Sequence, residues 1–318
     1  MTTWRELLDL DSPTEERNPA TIGLDTLPTD ELVGTILAAD EDVLRAVRAL
    51  SAPLSHLVDA CVEAIIAGAT VHYVGAGTSG RLAVLDAAEL PPTFNVGPEL
   101  FRAHLAGGPQ AMVTAGESAE DSAEAGASLV AEHCGEGDVV IGLAASGRTP
   151  YVRGALEAAR ARGLVTALIS ANPKADLTAL ADHALLAAVG PEVVTGSTRM
   201  KAGTAQKLLL NALSTATMVR LGKTYSNLMI DVRASNEKLV ARTVRMLVQA
   251  SQAAPEHAER VLRAAGGSVR IALIALLAES DVEQAAAASQ ACAPDPRRAG
   301  DPAGIRAAVA RLQQEGAE

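Results

Sequence analysis

The chain predicts an α/β fold, a doubly wound five-stranded parallel sheet in flavodoxin-like order with a small C-terminal helical module, and three observations carry that expectation. Short apolar runs alternate with helix-period segments from residue 71 to 188. Two of those runs lead into glycine and hydroxyl turns, Val74-Gly75-Ala76-Gly77-Thr78-Ser79-Gly80-Arg81 and Leu143-Ala144-Ala145-Ser146-Gly147-Arg148-Thr149-Pro150. Past Pro255 the pattern becomes one of short apolar helices only.

The elements follow in order. Residues 1–28 are polar, hold Pro13, Pro19 and Pro28, and read as an extended arm. Helical spacing from Thr29 to Ala69 predicts two helices broken at Pro53. Strands are expected at 71–75, 99–105, 138–143, 164–170 and 183–188, with helices from 79, near 118–133 and over 149–162. In the order 2-1-3-4-5 the first and third strands are neighbours at the topological switch point, where ligands bind beyond the carboxyl ends. The hydroxyl cluster Thr195, Ser197 and Thr198 is expected to cap a long helix ending near Leu221. A helix over 236–250 begins near Ser235-Asn236-Glu237, and a three-helix module, similar in outline to ubiquitin-associated domains, follows. Residues 293–302, rich in Pro, Asp and Arg, read as a linker before a last amphipathic helix. The expected division is an arm and helices over 1–54, a sugar-phosphate-binding domain over 55–250 and a helical module over 251–318.

Composition narrows the function. A net charge of −11 disfavours nucleic acid and anionic membrane as partners, so an anionic ligand has to be held by local donors. The three cysteines, Cys61, Cys134 and Cys292, have neither disulfide nor zinc-motif spacing, and the six histidines form no i, i+4 pair. No metal or organic cofactor is expected. The N-terminus lacks the pattern of a signal sequence and no apolar run reaches membrane-span length, so a cytoplasmic protein is expected.

The two turns present bare N–H groups at helix starts, where the helix dipole favours an anion. Gly77, Thr78, Ser79 and Gly80 in the first turn, and Ser146, Gly147, Arg148 and Thr149 in the second, are the candidate phosphate donors. Gly75, Gly77 and Gly80 also satisfy the dinucleotide pattern G-x-G-x-x-G. Two features weigh against a dinucleotide: Ser-Gly-Arg recurs in the second turn, and the run 100–105 does not end in the acid that grips a ribose. Tight turns without ligand remain an alternative reading of either segment. Ser197 and Lys207 are further candidates, although Lys207, Arg199 and Lys201 are equally at home as solvated helix residues.

These motifs, together with Leu85-Asp86-Ala87-Ala88-Glu89-Leu90-Pro91-Pro92-Thr93 and Val194 to Lys207, resemble the N-acetylmuramic acid 6-phosphate etherase family over about residues 14 to 280. The arm residues Thr14 to Asn18 and the segment Asn227 to Val232 extend the likeness. Membership implies a sugar isomerase (SIS) type fold, a homodimer, an amino-sugar phosphate substrate and no cofactor. It implies Glu89 as the acid for the departing lactyl oxygen and Glu120 as the base at C2. Read alone, Glu89 has one argument in its favour: a helix expected to stop before Pro91 would hold it against the negative end of the dipole. Solvated surface is the alternative for Glu89, and an ordinary helix start capped by Ser118 is the alternative for Glu120. Two other functions on the same fold stay open, a non-catalytic sugar-phosphate-binding regulator and a sugar-phosphate isomerase.

Overall fold

The computed structural model describes residues 12–114, 118–231 and 237–316, the side chains of 237–239 apart. Glu117, Val232 and the helix start expected at Ser235-Asn236 lie outside the described residues. Among the described residues three α-helices, not two, precede the sheet: α1 (Thr29–Ala39), α2 (Glu41–Arg48) and α3 (Ser51–Ile66). The breaks fall at Asp40 and at Ala49-Leu50. Pro53 sits in the first turn of α3, where its missing N–H leaves no helical acceptor unpaired.

Strands β1 (Val71–Gly75), β2 (Phe101–Leu105), β3 (Val139–Leu143), β4 (Val165–Ser170) and β5 (His183–Leu186) form one sheet of order β2-β1-β3-β4-β5. Every pairing is parallel, so the expected fold class and strand order hold. β1 and β3 are buried along their full length, which is why they read as unbroken apolar runs. Helices cover both faces. On one, Val74, Val140 and Leu168 pack with Val130 of α5 (Ala123–His133) and with Val152, Ala155 and Leu156 of α6 (Pro150–Ala161). On the other, α3 lies against β1, β3 and β5.

Between β1 and β2 runs α4 (Gly77–Phe94), which passes through Pro91 and Pro92 rather than ending before them. The prolines remove i+4 donors only from Ala87 and Ala88, and the chain continues because Thr93 Oγ donates to the Glu89 carbonyl (2.8 Å) and Asn95 N–H to the Pro91 carbonyl (2.9 Å). Asn95, at φ 51°, supplies the left-handed stop. The arm is also not extended: from Ser12 it forms short 3-10 turns tied to the loop after β5. Gly196 N–H donates to the Thr14 carbonyl (3.1 Å), and Thr21 Oγ to the Val193 carbonyl (2.9 Å).

The chain divides into two compact units, one comprising the chain up to Ala88 with Pro98–Ser214, the other Glu89–Gly97 with Thr215 onward. Helix α7 (Lys201–Arg220) runs through the division. The second unit holds α8 (Glu237–Ser251), α9 (Pro255–Ala264), α10 (Val269–Ala278), α11 (Val282–Ala291) and α12 (Ile305–Glu315). Leu247, Leu262, Leu273, Ile274 and Ile305 are in its core. Residues 293–302 are a structured connection rather than a loose linker. Asp295 N–H bonds the Pro302 carbonyl (2.8 Å), and buried Asp301 caps α12 by accepting from Arg306 and Ala307 N–H. Among the described residues no single helix is long and apolar enough to cross a membrane.

Candidate functional site

Gly75 of β1 stands opposite Leu143 of β3 in register, so the two glycine turns leave the same edge of the sheet side by side. The first turn is tighter than expected, because α4 already begins at Gly77 (φ 53°) and Ser79-Gly80-Arg81 lies inside its first turn. Gly80 is forced: a Cβ there would stand 2.5 Å from both the Gly75 carbonyl oxygen and Leu105 Cδ1. That contact brings the helix start, with its unpaired N–H groups, directly over the strand end. Thr78 is half-buried and Gly77 exposed.

Ser146-Gly147-Arg148 is not the conformational copy of Ser79-Gly80-Arg81 that the repeated residues suggest. It forms a loop before α6, with Gly147 at φ 69° packed against Ala175. Asn172 Nδ2 donates to the Ser146 carbonyl (3.1 Å), and Arg148 N–H reaches Ser146 Oγ (3.3 Å). Thr149 precedes α6 without a side-chain capping bond, leaving the helix start open. Arg148 Nε bonds the Asp176 carboxylate at 3.1 Å, but its Nη1 is buried with no hydrogen-bond partner. A buried guanidinium nitrogen lacking an acceptor is costly unless an anion completes it. Arg81 turns away, donating to the Ala111 and Met112 carbonyls.

Helix α7 adds residues that spacing alone did not single out. Gln206 is 1% exposed, and its Oε1 accepts from Ser79 Oγ at 2.9 Å, while its Nε2 is a second buried donor without a partner. Asp86, on α4, accepts from Asn211 Nδ2 (2.8 Å), Ser214 Oγ (3.1 Å) and Tyr73 OH (3.2 Å). This locks α4, α7 and β1 together, and burial raises the Asp86 pKa. The N-terminus of α7 is not capped by the hydroxyl cluster. Buried Glu192 takes that place, accepting from Lys201 N–H (2.8 Å) and Ala202 N–H (3.0 Å). Lys201 is no free cation either, since its ammonium is buried between the Pro191 carbonyl and Asp42. Ser197 is half-buried in the loop before α7, and Lys207 is exposed on the helix.

Glu120 occupies a 3-10 turn (Ala119–Asp121) that packs against α6, and α5 is capped by Ser122, not Ser118. The Ser122 side chain accepts from Ala125 N–H at 3.1 Å. Partial burial, reinforced by the Asp121 carboxylate, raises the Glu120 pKa. Glu89 is exposed on α4, five residues before the helix ends, so it does not occupy the last turn expected for it. A cleft of about 410 Å³ lies where the arm meets the loop after β5, lined by Arg17, Asn18, Thr21, Ile22, Val193 and Thr195.

Two family models agree with this architecture. Residues 53–160 match the glucokinase regulatory protein N-terminal SIS domain, and residues 114–216 match the SIS domain. A phosphoheptose isomerase from Francisella tularensis superposes with a TM-score of 0.49 at 18% identity, over 60% of this chain and 97% of its own. The N-acetylmuramic acid 6-phosphate etherase of Symbiobacterium thermophilum is 51% identical over 265 residues, 83% of this chain and 88% of that protein. Its counterpart from Streptomyces avermitilis is 50% identical over 279 residues, 86% and 88% of the two chains. With half of the aligned residues identical over nearly nine-tenths of those proteins, the chain belongs to the N-acetylmuramic acid 6-phosphate etherase family.

Proposed function

We infer that this protein cleaves the D-lactyl ether of N-acetylmuramic acid 6-phosphate, giving N-acetylglucosamine 6-phosphate and D-lactate in cell-wall amino-sugar catabolism. The observation that carries the inference is identity of about half over most of the length of proteins bearing that name. The adjoining glycine turns and the unpaired Arg148 Nη1 support a phosphate at the carboxyl edge of β1 and β3. Thr78, Ser146 and Thr149 contribute hydroxyl donors, Ser79 and Gly147 backbone N–H groups, since the Ser79 hydroxyl is held by Gln206, and Arg148 the charge. Arg17, on the rim of the cleft beside Thr195, is the cation we assign to the lactyl carboxylate.

The chemistry needs one base and one acid. Opening of the sugar ring exposes an aldehyde at C1, which acidifies the C2 proton and makes the C3 ether a β leaving group. Glu120 takes the C2 proton, and its raised pKa makes it a stronger base than an ordinary carboxylate. Glu89 protonates the lactyl oxygen as the C3–O bond breaks, so lactate leaves with the ether oxygen. Water then adds at C3 while Glu89 accepts its proton, and Glu120 returns a proton to C2. No metal or redox group enters this scheme. We assign the active form to a cytoplasmic homodimer, as the family resemblance implies.

Isotope labelling separates elimination from other routes. In H₂¹⁸O and D₂O the sugar product is expected to carry ¹⁸O at C3 and deuterium at C2, with unlabelled lactate. Label in lactate, or a sugar product without ¹⁸O at C3, would exclude the scheme. Interconversion of sugar phosphates without lactate would favour an isomerase, and binding without turnover a regulator.

A further inference from the structure

We propose that His72, Cys134 and Asp138 form a binding site for a divalent cation of the zinc and cobalt class, with His104 as the outer partner that orients His72. The three residues come from separate places: His72 from β1, Cys134 from the end of α5, and Asp138 from the residue before β3. All three are buried, and one ligand atom from each lies within 4.8 Å of the others. Their position is the amino end of β1 and β3, opposite the glycine turns, so the site is separate from the sugar-phosphate site.

The donor set decides the metal class. One imidazole, one thiol and one carboxylate suit a borderline-soft ion and are a poor match for calcium or magnesium, which take oxygen ligands. Zinc bonds of about 2.0–2.3 Å put neighbouring ligand atoms roughly 3.3–3.7 Å apart. His72 Nε2 and Asp138 Oδ2 now stand at 2.9 Å, bridged by a proton. A few tenths of an ångström of opening there, with Cys134 closing inward, converts the cluster to three tetrahedral ligands and leaves the fourth position to water.

The proton balance also works. On binding, His72 keeps a single ring proton but moves it to Nδ1, which lies 2.9 Å from His104 Nε2. His104, whose Nε2–H faces His72 Nδ1 in the metal-free cluster, shifts its own proton to Nδ1 and accepts at Nε2, the arrangement in which a second residue fixes the tautomer of a metal-bound histidine. The Cys134 S–H bond breaks, its proton goes to solvent, and a metal–thiolate bond forms. The Asp138 carboxylate is held in place by N–H bonds from Thr70 to Oδ1 (2.7 Å) and from Gly135 to Oδ2 (2.6 Å). The His72 ring stacks on His104 and His104 on His133, whose side chain is 47% exposed, so two stacked rings separate the cluster from the surface on that side.

Cobalt titration of the full-length protein, stripped with a chelator and dialysed, tests the site. The expected result is one cobalt ion per chain with a thiolate-to-cobalt absorption band, displaced by zinc, and a higher thermal midpoint with metal. Cys134→Ser, compared at equal metal-free stability, should abolish the band and weaken binding about tenfold or more. Absence of the band in the wild type overturns the proposal, whether or not the variant folds. So does a band that survives in Cys134→Ser, which would belong to Cys61 or Cys292.

Discussion

His104 shows how burial at one residue sets a property of the whole chain. Folded, its imidazole protonates only near 3, because burial disfavours the charge and His72, His133 and Arg102 oppose it. Unfolded, it titrates near its ordinary value of about 6.5. Its neutral form therefore contributes stability that is complete above about 6.5 and is lost as the pH falls toward 3. The thermal midpoint should decline across that window and the decline should flatten in His104→Gln; equal slopes would contradict the assignment. Arg148 makes a second residue-scale prediction. If its orphaned Nη1 awaits the phosphate, Arg148→Ala should raise KM about tenfold or more, the loss of one charge-assisted bond, with a smaller change in kcat. An unchanged KM would return Arg148 to the role of a partner for Asp176.

At the scale of elements, what the sequence revealed and what it hid separate by mechanism. Buried strands were legible because β1 and β3 have no solvated face, and the β1 run ends at Gly75, where a Cβ would stand 2.8 Å from Gly80 N. Gly80→Ala should therefore cost about 3 kcal/mol or leave the chain insoluble, since the added Cβ meets the Gly75 backbone. Helix ends were less legible. The stop before Pro91 failed because two prolines near a C-terminus cost only two donors, whereas Asn95, four residues on, carried the true signal. The cap of α7 failed for another reason: hydroxyls near a helix start are a local pattern, but Glu192 reaches Lys201 and Ala202 N–H from nine and ten residues away. Glu192→Ala should destabilise the chain by about 2 kcal/mol in denaturant titration, and Glu192→Gln by less, because one acceptor oxygen remains. Equal midpoints for wild type and Glu192→Ala would mean that the cap carries no weight.

For the molecule as a whole, the glycine turns were readable as an anion site from their residues, while Gln206 was not, since its buried amide becomes visible only when α7 is set against the start of α4. The metal-type cluster was equally hidden, because its ligands share no spacing in the chain. The two glutamates rest on motif resemblance, and their exposure on α4 and on a 3-10 turn gives no local sign of catalysis for Glu89. D-lactate release from N-acetylmuramic acid 6-phosphate by wild type, Glu89→Ala and Glu120→Ala is therefore the decisive measurement. The account predicts release by the wild type and a fall in kcat of about a hundredfold or more in each folded variant. No lactate from a folded wild type that binds the sugar phosphate, or full activity in either variant, would contradict it.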